Sequence, residues 1–187
     1  MRITGGRATG RLLISPKGSN IRPTSDRVRS AIFNLIGQDL TGLRVLDLFA
    51  GTGSLGLDSL SRGAVWVLFV DRSPKSIHLI KRNLALCGYE NRAGLLRWNL
   101  RKGMPRDHPM VKGCFDLAFL DPPYGQNLIP SSLTRLTAMD VLSSGSYVIA
   151  ETAKAERAPC LVGELRRVDT RLYGDTRISI YRHEVKK

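Results

Sequence analysis

Asp47-Leu48-Phe49-Ala50-Gly51-Thr52-Gly53-Ser54-Leu55-Gly56 is the stretch whose reading decides the fold. Together with Leu43-Arg44-Val45-Leu46 before it, its first three residues form a nearly continuous apolar run, the pattern of a strand buried on both faces of a parallel sheet. Gly51, Gly53 and Gly56 then meet the G-x-G-x-x-G spacing, which turns a strand sharply into a helix and lets a ligand approach the backbone. Twenty residues after Gly51, Asp71 closes the next apolar run, where a carboxylate can accept both hydroxyls of an adenosine ribose. A merely tight strand–helix turn would account for the glycines but not for Asp71. The pair predicts an adenosine cofactor without saying which one.

Outward from this loop, strands and helices alternate. The spacing predicts strands over 43–49, 64–70, 93–98, 115–120 and 146–150, with helices over 51–62, from a Ser73 cap to about Cys87, and over about 128–142. Two late strands, about 165–172 and 177–181, flank Tyr173-Gly174-Asp175-Thr176, which reads as a hairpin turn. Alternating β and α elements imply an α/β fold: a doubly wound, Rossmann-like, mostly parallel sheet with its last strand antiparallel. Upstream, Thr24 or Ser25 is a candidate cap for a helix carrying Val28, Ala31, Ile32, Leu35 and Ile36 at helical spacing. Residues 1–22 hold five basic residues and no acid, broken by turn residues, and are expected to form a β-hairpin or extended arm. The expected organisation is thus an arm over 1–22 and one domain over 23–187.

A second motif, Phe119-Leu120-Asp121-Pro122-Pro123-Tyr124-Gly125, ends the fourth strand. Proline lacks a backbone N–H and resists continuing a central strand, so a rigid loop with free carbonyls, a carboxylate and a ring must follow. In the common 3-2-1-4-5 strand order the first and fourth strands are neighbours at the switch point, and ligands bind beyond their carboxyl ends. The two loops are therefore expected to share a crevice. Two cofactor readings compete there. A nicotinamide dinucleotide would place its pyrophosphate at the helix N-terminus. S-adenosylmethionine has no phosphate, and an acidic residue before the glycines, here Asp47, would face its cationic methionine end. The second reading also explains the second loop. An exocyclic amine on a base is a poor nucleophile, and hydrogen bonds to Asp121 and the Pro122 carbonyl would orient it, while Tyr124 stacks on the base. Such a base must be flipped out or unpaired to fit.

The charge distribution bears on the partner. The 187 residues carry a formal net charge of +13. Residues 1–29 hold seven Lys/Arg against one acid, and residues 62–112 hold eleven against three. By contrast, the two motif regions are slightly acidic: residues 30–61 hold one Lys/Arg against three acids, and 113–153 one against four. Basic charge surrounding locally acidic pockets suits a polyanion gripped by its phosphates. No apolar run approaches the ~20 residues of a membrane span, and the N-terminus has no signal-peptide segment, so a cytoplasmic protein is expected. Cys87, Cys114 and Cys160 and the three isolated histidines have no metal-ligand spacing, and no metal is expected.

The opening Met1-Arg2-Ile3-Thr4-Gly5-Gly6, the run Arg22-Pro23-Thr24-Ser25-Asp26-Arg27-Val28-Arg29, Asp47 to Gly56, Leu60-Ser61-Arg62-Gly63-Ala64, Phe115 to Tyr124 and Tyr173-Gly174-Asp175-Thr176 together resemble the RsmD-type 16S rRNA guanine-N2 methyltransferases of bacteria. Asp-Pro-Pro-Tyr alone is shared with amino methyltransferases acting on adenine, cytosine or guanine; the arm and Arg22 to Arg29 narrow the match. The resemblance implies a class I methyltransferase fold and S-adenosylmethionine as donor, with Asp71 on the ribose and Asp121, Pro122, Pro123 and Tyr124 around the target amine. It also implies 16S rRNA as substrate, within the small ribosomal subunit or an assembly intermediate. The donor set expected from the motifs comprises Asp47, Phe49, Ala50, Gly51, Gly53, Asp71 and Arg72, with Asn99 and Leu100 after the third strand and Thr24 and Arg27 near the methionine end. The family usually has an acidic residue where Asn99 stands; its side-chain oxygen can still accept from an adenine amine. Arg2, Arg7, Arg11, Lys17 and Arg22 are the expected RNA contacts, and the protein is expected to act as a monomer. The alternatives are an amino methyltransferase for adenine N6 or cytosine N4 of DNA or other RNA, a nicotinamide-dependent oxidoreductase, and a non-catalytic RNA-binding module on the same scaffold.

Overall fold

A computed structural model describes residues 1–15, 25–103, 105, 107–123 and 125–184. The chain divides into two compact units, Met1–Trp98 and Asn99–Lys187.

In the first unit, β1 (Arg44–Leu48), β2 (Trp66–Asp71) and β3 (Ala93–Arg97) pair in parallel in the order β3-β2-β1. Val45, Leu46, Val67, Leu68, Phe69 and Val70 are fully buried, as expected of central parallel strands. Helix α1 (Asp26–Ile36) is capped by Ser25, whose side chain accepts from the Val28 amide, and it ends at Gly37. Helix α2 (Ser54–Ser61) follows β1 and is buried along its whole length. Helix α3 (Pro74–Cys87) starts on a Ser73 cap with proline in its first turn and stops at Gly88 in the left-handed region. Helices α1 and α3 lie where periodicity and capping residues predict them, whereas α2 starts three residues later than expected because Gly51 and Gly53 take positive φ in the turn before it.

Residues 1–15 are docked rather than free. Ile3 and Leu13 are buried, and a single antiparallel bridge joins Arg2 to Leu12. The arm is held by polar contacts to α2 and α3. The Thr4 amide and hydroxyl both donate to Asp58, and the Ile14 amide donates to Asn83 while the Asn83 side-chain amide donates back to the Ile14 carbonyl. Gly6 crosses α2 so closely that a Cβ there would lie 2.1 Å from the Ser61 carbonyl oxygen. The fully buried Asp58 also receives Arg29 on one carboxylate oxygen and Arg62, at 2.8 Å, on the other. One anion thus ties together α1, α2 and the arm.

In the second unit, β4 (Phe115–Leu120) pairs in parallel with β5 (Leu142–Ala153), and α4 (Leu128–Ala138) connects them. Helix α4 ends four residues before the predicted boundary. Asp140 adopts φ 51°, turning the chain, and the apolar Val141 and Leu142 are buried at the start of β5 rather than on a helix face. β6 (Leu161–Val162), β7 (Leu165–Tyr173) and β8 (Thr176–His183) complete the order β4-β5-β8-β7-β6, every pair after β4/β5 being antiparallel. The hairpin turn between β7 and β8 falls at Gly174 and Asp175, as predicted.

Candidate functional site

The loop after β1 is built from three glycines that serve three purposes. A Cβ on Gly56 would sit 2.2 Å from the Phe69 ring, so this glycine lets α2 lie against β2. A Cβ on Gly53 would meet Ile80 at 2.8 Å, a packing demand from α3. Gly51 is different. It has φ 55°, and the one atom near a Cβ built there is the Phe49 carbonyl oxygen at 3.8 Å, so its side is open to an approaching ligand. Phe49, half-buried, also has positive φ, at 63°, an uncommon state for an aromatic residue. Ala50 is tied to the end of β2 by its amide on the Val70 carbonyl, and Gly53 turns back to bond the Ala50 carbonyl at 2.7 Å.

Asp71 ends β2 with both carboxylate oxygens held by backbone. Gly51 donates to Oδ2 at 2.8 Å, and Ser73, the cap of α3, donates to Oδ1 at 2.7 Å. An ionised carboxylate has about four acceptor positions. Two therefore remain on a group whose orientation is already set, enough for a pair of vicinal hydroxyls. Arg72 follows it, exposed. Trp98, reading along the sequence merely the end of a strand, is 38 % exposed, and its amide donates to the Asp71 carbonyl at 2.9 Å. An exposed ring immediately past the end of a parallel strand is the signal that marks it.

Asp47 is 2 % exposed at the end of β1, and its Oδ2 accepts from the Gly56 amide in the first turn of α2 at 3.0 Å. Burial pushes its carboxyl up to about 7; the Gly56 hydrogen bond opposes that shift, and the neighbouring Asp71 charge adds to it. Two acids lie close together there. That environment is suited to a cation.

The second unit carries the other predicted residues. Asn99 is half-buried and accepts the Arg101 amide at 3.1 Å through its side-chain oxygen, which leaves that oxygen a further lone pair. Leu100 is buried, and its carbonyl accepts from Arg135 at 2.7 Å. Asp121 follows directly on β4, half-buried, with Pro122 buried and Pro123 exposed. Gly125 donates its amide to Glu156 at 2.6 Å, so the segment after β5 pins the far side of this loop. Glu156 has no sequence signal; it lies 31 residues from Gly125, and only the folded chain pairs them. Tyr124, Thr24, Lys17 and Arg22 lie outside the described residues. Of the remaining basic candidates, Arg27 and Arg7 are exposed, Arg2 lies 3.6 Å from Asp26, and Arg11 bonds the Leu86 carbonyl at the end of α3. Among the described residues, no group of three or more His, Cys, Asp or Glu could hold a metal ion, and no helix is long and apolar enough to cross a membrane.

Comparison with known proteins extends these local features to the whole chain. It is 36% identical over 182 residues to a Bacillus subtilis protein named "Putative rRNA methyltransferase YlbH", covering 97% of this chain and 98% of that one. It is 26% identical over 190 residues to the Escherichia coli K12 ribosomal RNA small subunit methyltransferase D, covering 100% and 91%. A solved structure of a hypothetical protein from Thermus thermophilus superposes with a TM-score of 0.81 at 26% identity, covering 99% of each chain. Residues 1–182 match the family model described as conserved hypothetical protein 95. The chain belongs to that family, the RsmD-type methyltransferase family in which the ribosomal RNA small subunit methyltransferase D proteins fall.

Proposed function

We propose that this protein transfers a methyl group from S-adenosylmethionine to the exocyclic N2 amine of a guanine in 16S rRNA, presented within the small ribosomal subunit or an assembly intermediate of it. The observation that carries the donor assignment is the pairing of an open Gly51 with an Asp71 carboxylate already oriented by two amides, beside a buried Asp47. These residues fit an adenosine with a cationic tail better than a dinucleotide, whose pyrophosphate would meet the Asp47 and Asp71 charges. Asp71 would accept the ribose hydroxyls, Gly51 would let the donor lie on the backbone, and Asp47 would face the cationic methionine end. The Asn99 oxygen would accept from the adenine amine, with Trp98 against the ring. Thr24 and Arg27 are proposed to close over the methionine end.

When bound, the donor supplies an electrophilic methyl group on a sulfonium. Asp121 and the Pro122 carbonyl would accept hydrogen bonds from the target amine and would favour a nitrogen lone pair aimed at the methyl group, with Tyr124 stacked on the base. With the N–C bond formed and the C–S bond broken, the nitrogen would be acidic, and Asp121 or solvent would take its proton. An ordinary carboxylate is a weak base near neutrality, so orientation of the two reactants is the main contribution to rate. Arg2, Arg7, Arg11, Lys17 and Arg22 are proposed to contact RNA phosphates.

The test is methylation of small subunits from a strain lacking the enzyme, followed by mapping of the modified nucleotide. A new methyl group on a guanine N2 is expected. A methyl on adenine N6 or cytosine N4 would overturn the base assignment, and calorimetry that finds NAD binding but no S-adenosylmethionine binding would overturn the donor.

A further inference from the structure

The segment that holds Gly125 has a second face. Between β5 and β6, Arg157, Ala158 and Cys160 line a cavity of about 400 Å³ together with Arg167 of β7 and Arg177 of β8. The wall is firmly set. Arg167 donates to the Ala158 carbonyl and lies 2.8 Å from the Cys160 sulfur, and the Tyr181 hydroxyl donates to the Pro159 carbonyl at 2.7 Å. Arg177 donates to the Lys154 carbonyl at 2.8 Å, while its Nε is buried with no hydrogen-bond partner. Arg157 is exposed. Among the described residues, none of the three guanidinium groups has a carboxylate within 4.0 Å, although nearby Arg166 and Arg171 both do.

Three like charges around one concavity repel one another unless an anion enters, and a buried Nε without a partner is an unspent donor. Guanidinium groups suit phosphate oxygens because their planar donors bind two at a time. Position says which phosphate. Glu156, adjacent to Arg157, bonds the residue that closes the Asp121–Gly125 loop.

We propose that Arg157, Arg167 and Arg177 form a phosphate-binding pocket that grips the acceptor RNA backbone beside the nucleotide delivered to the Asp121–Gly125 loop. The inference rests on the reading of this chain as an RNA methyltransferase. Gripping the backbone there anchors the strand on the side of the loop where Glu156 holds it, so the flipped nucleotide enters with its own phosphates already fixed. The segment from Lys154 to Cys160 then has a double role: Glu156 shapes the catalytic loop, and Arg157 fixes the strand that feeds it.

The test compares the full chain with Arg157→Gln and Arg157→Glu; Arg157 is exposed, so its replacement leaves the core intact. RNA affinity is measured by fluorescence anisotropy over a range of salt, with a small-subunit rRNA fragment that the wild type methylates. Arg157→Gln is expected to weaken RNA binding about fivefold to tenfold and to reduce the salt slope by about one, with Arg157→Glu weaker still. Donor affinity by calorimetry should be unchanged. Inorganic phosphate and guanosine monophosphate, at constant ionic strength, serve as small-anion probes. Unchanged RNA affinity and salt slope in both variants would overturn the proposal, whether or not the wild type binds those small anions more tightly than the variants do. The wild-type control separates the two readings: failure of the wild type to methylate rRNA overturns the parent assignment, whereas active wild type with equally RNA-competent variants overturns only the pocket.

Discussion

Gly51 donates its amide hydrogen to the Asp71 carboxylate across 2.8 Å, tying the loop after β1 to the end of β2. The one bond sets the loop's conformation and the carboxylate's orientation together, and Ser73 fixes the other carboxylate oxygen. Replacement of Asp71 by Asn keeps the shape but leaves one side-chain oxygen to accept where two did. Asp71→Asn is expected to lower donor affinity by about tenfold to a hundredfold, the range for a hydrogen bond to a charged group. Calorimetric titration with S-adenosylmethionine measures it; an unchanged affinity would remove Asp71 from the site.

Asp47 makes donor binding and stability depend on pH in opposite ways. In the folded protein burial raises its carboxyl from the ordinary 3.8 to about 7. Between those values the folded state binds more protons than the unfolded one, so this group's effect is to lower stability as pH rises through that window, with the full cost present above 7. A cation bound against the carboxylate reverses the preference. Donor affinity is expected to climb as pH rises towards 7 and then level off, with a proton released on binding at pH 6. Titration in two buffers of different ionisation heat counts that proton. Asp47→Asn should release none, and it should melt at a higher temperature than the wild type at pH 8 in the absence of donor.

Asp58 is the buried anion that Arg29, Arg62 and Thr4 share. Removing it leaves the buried Arg62 guanidinium without a carboxylate and Arg29 with Asp26 alone, and stranding a buried charge in this way typically costs about 3–5 kcal/mol. Asp58→Ala is expected to lose stability of that order in denaturant unfolding. The arm should also loosen, because both Thr4 contacts go with it, and trypsin should cut after Arg2, Arg7 and Arg11 faster than in the wild type. The Met1 sulfur lies 3.5 Å from the Thr52 hydroxyl, so the loosened arm also deprives the glycine loop of a neighbour.

The role proposed for Asp121, orienting the amine, is confined to the transfer step. Asp121→Ala is therefore expected to abolish methylation while donor affinity stays within about twofold, since an interaction made with the reacting amine affects turnover rather than donor binding. Undiminished turnover in this variant would show that the carboxylate is misassigned.

The arm's exposed cations test the RNA assignment separately. Replacing Arg2, Arg7 and Arg11 together by Gln should flatten the salt dependence of RNA binding by about two to three, close to one phosphate contact for each arginine. A slope equal to the wild type's would mean that these side chains lie away from the RNA.

Much of this is legible along the chain. Signals that act within a few residues agree with the fold: Ser73 and Gly88 bound α3 because capping and left-handed geometry are properties of single residues, and β4 stops at Leu120 because the prolines after Asp121 cannot continue it. The overrun of α4 has a local cause too, since the apolar Val141 and Leu142 fit a helix face as well as a strand until Asp140 turns the chain. The family resemblance is equally visible, because it rests on short runs whose residue types and spacing survive in the sequence.

The alternation of elements and the placing of the two motifs at strand ends are read from the residues alone, since strand periodicity, glycine spacing and a proline stop are all short-range. Folding settles which of the three glycines has open space beside it, that burial raises the Asp47 carboxyl, and that Arg29 is buried against Asp58. It also settles that Glu156 holds Gly125 and that Arg157, Arg167 and Arg177 meet around one cavity. Each of these depends on atoms brought together from distant positions, where dielectric and counter-charge are set by the packed surroundings and not by neighbours in the chain.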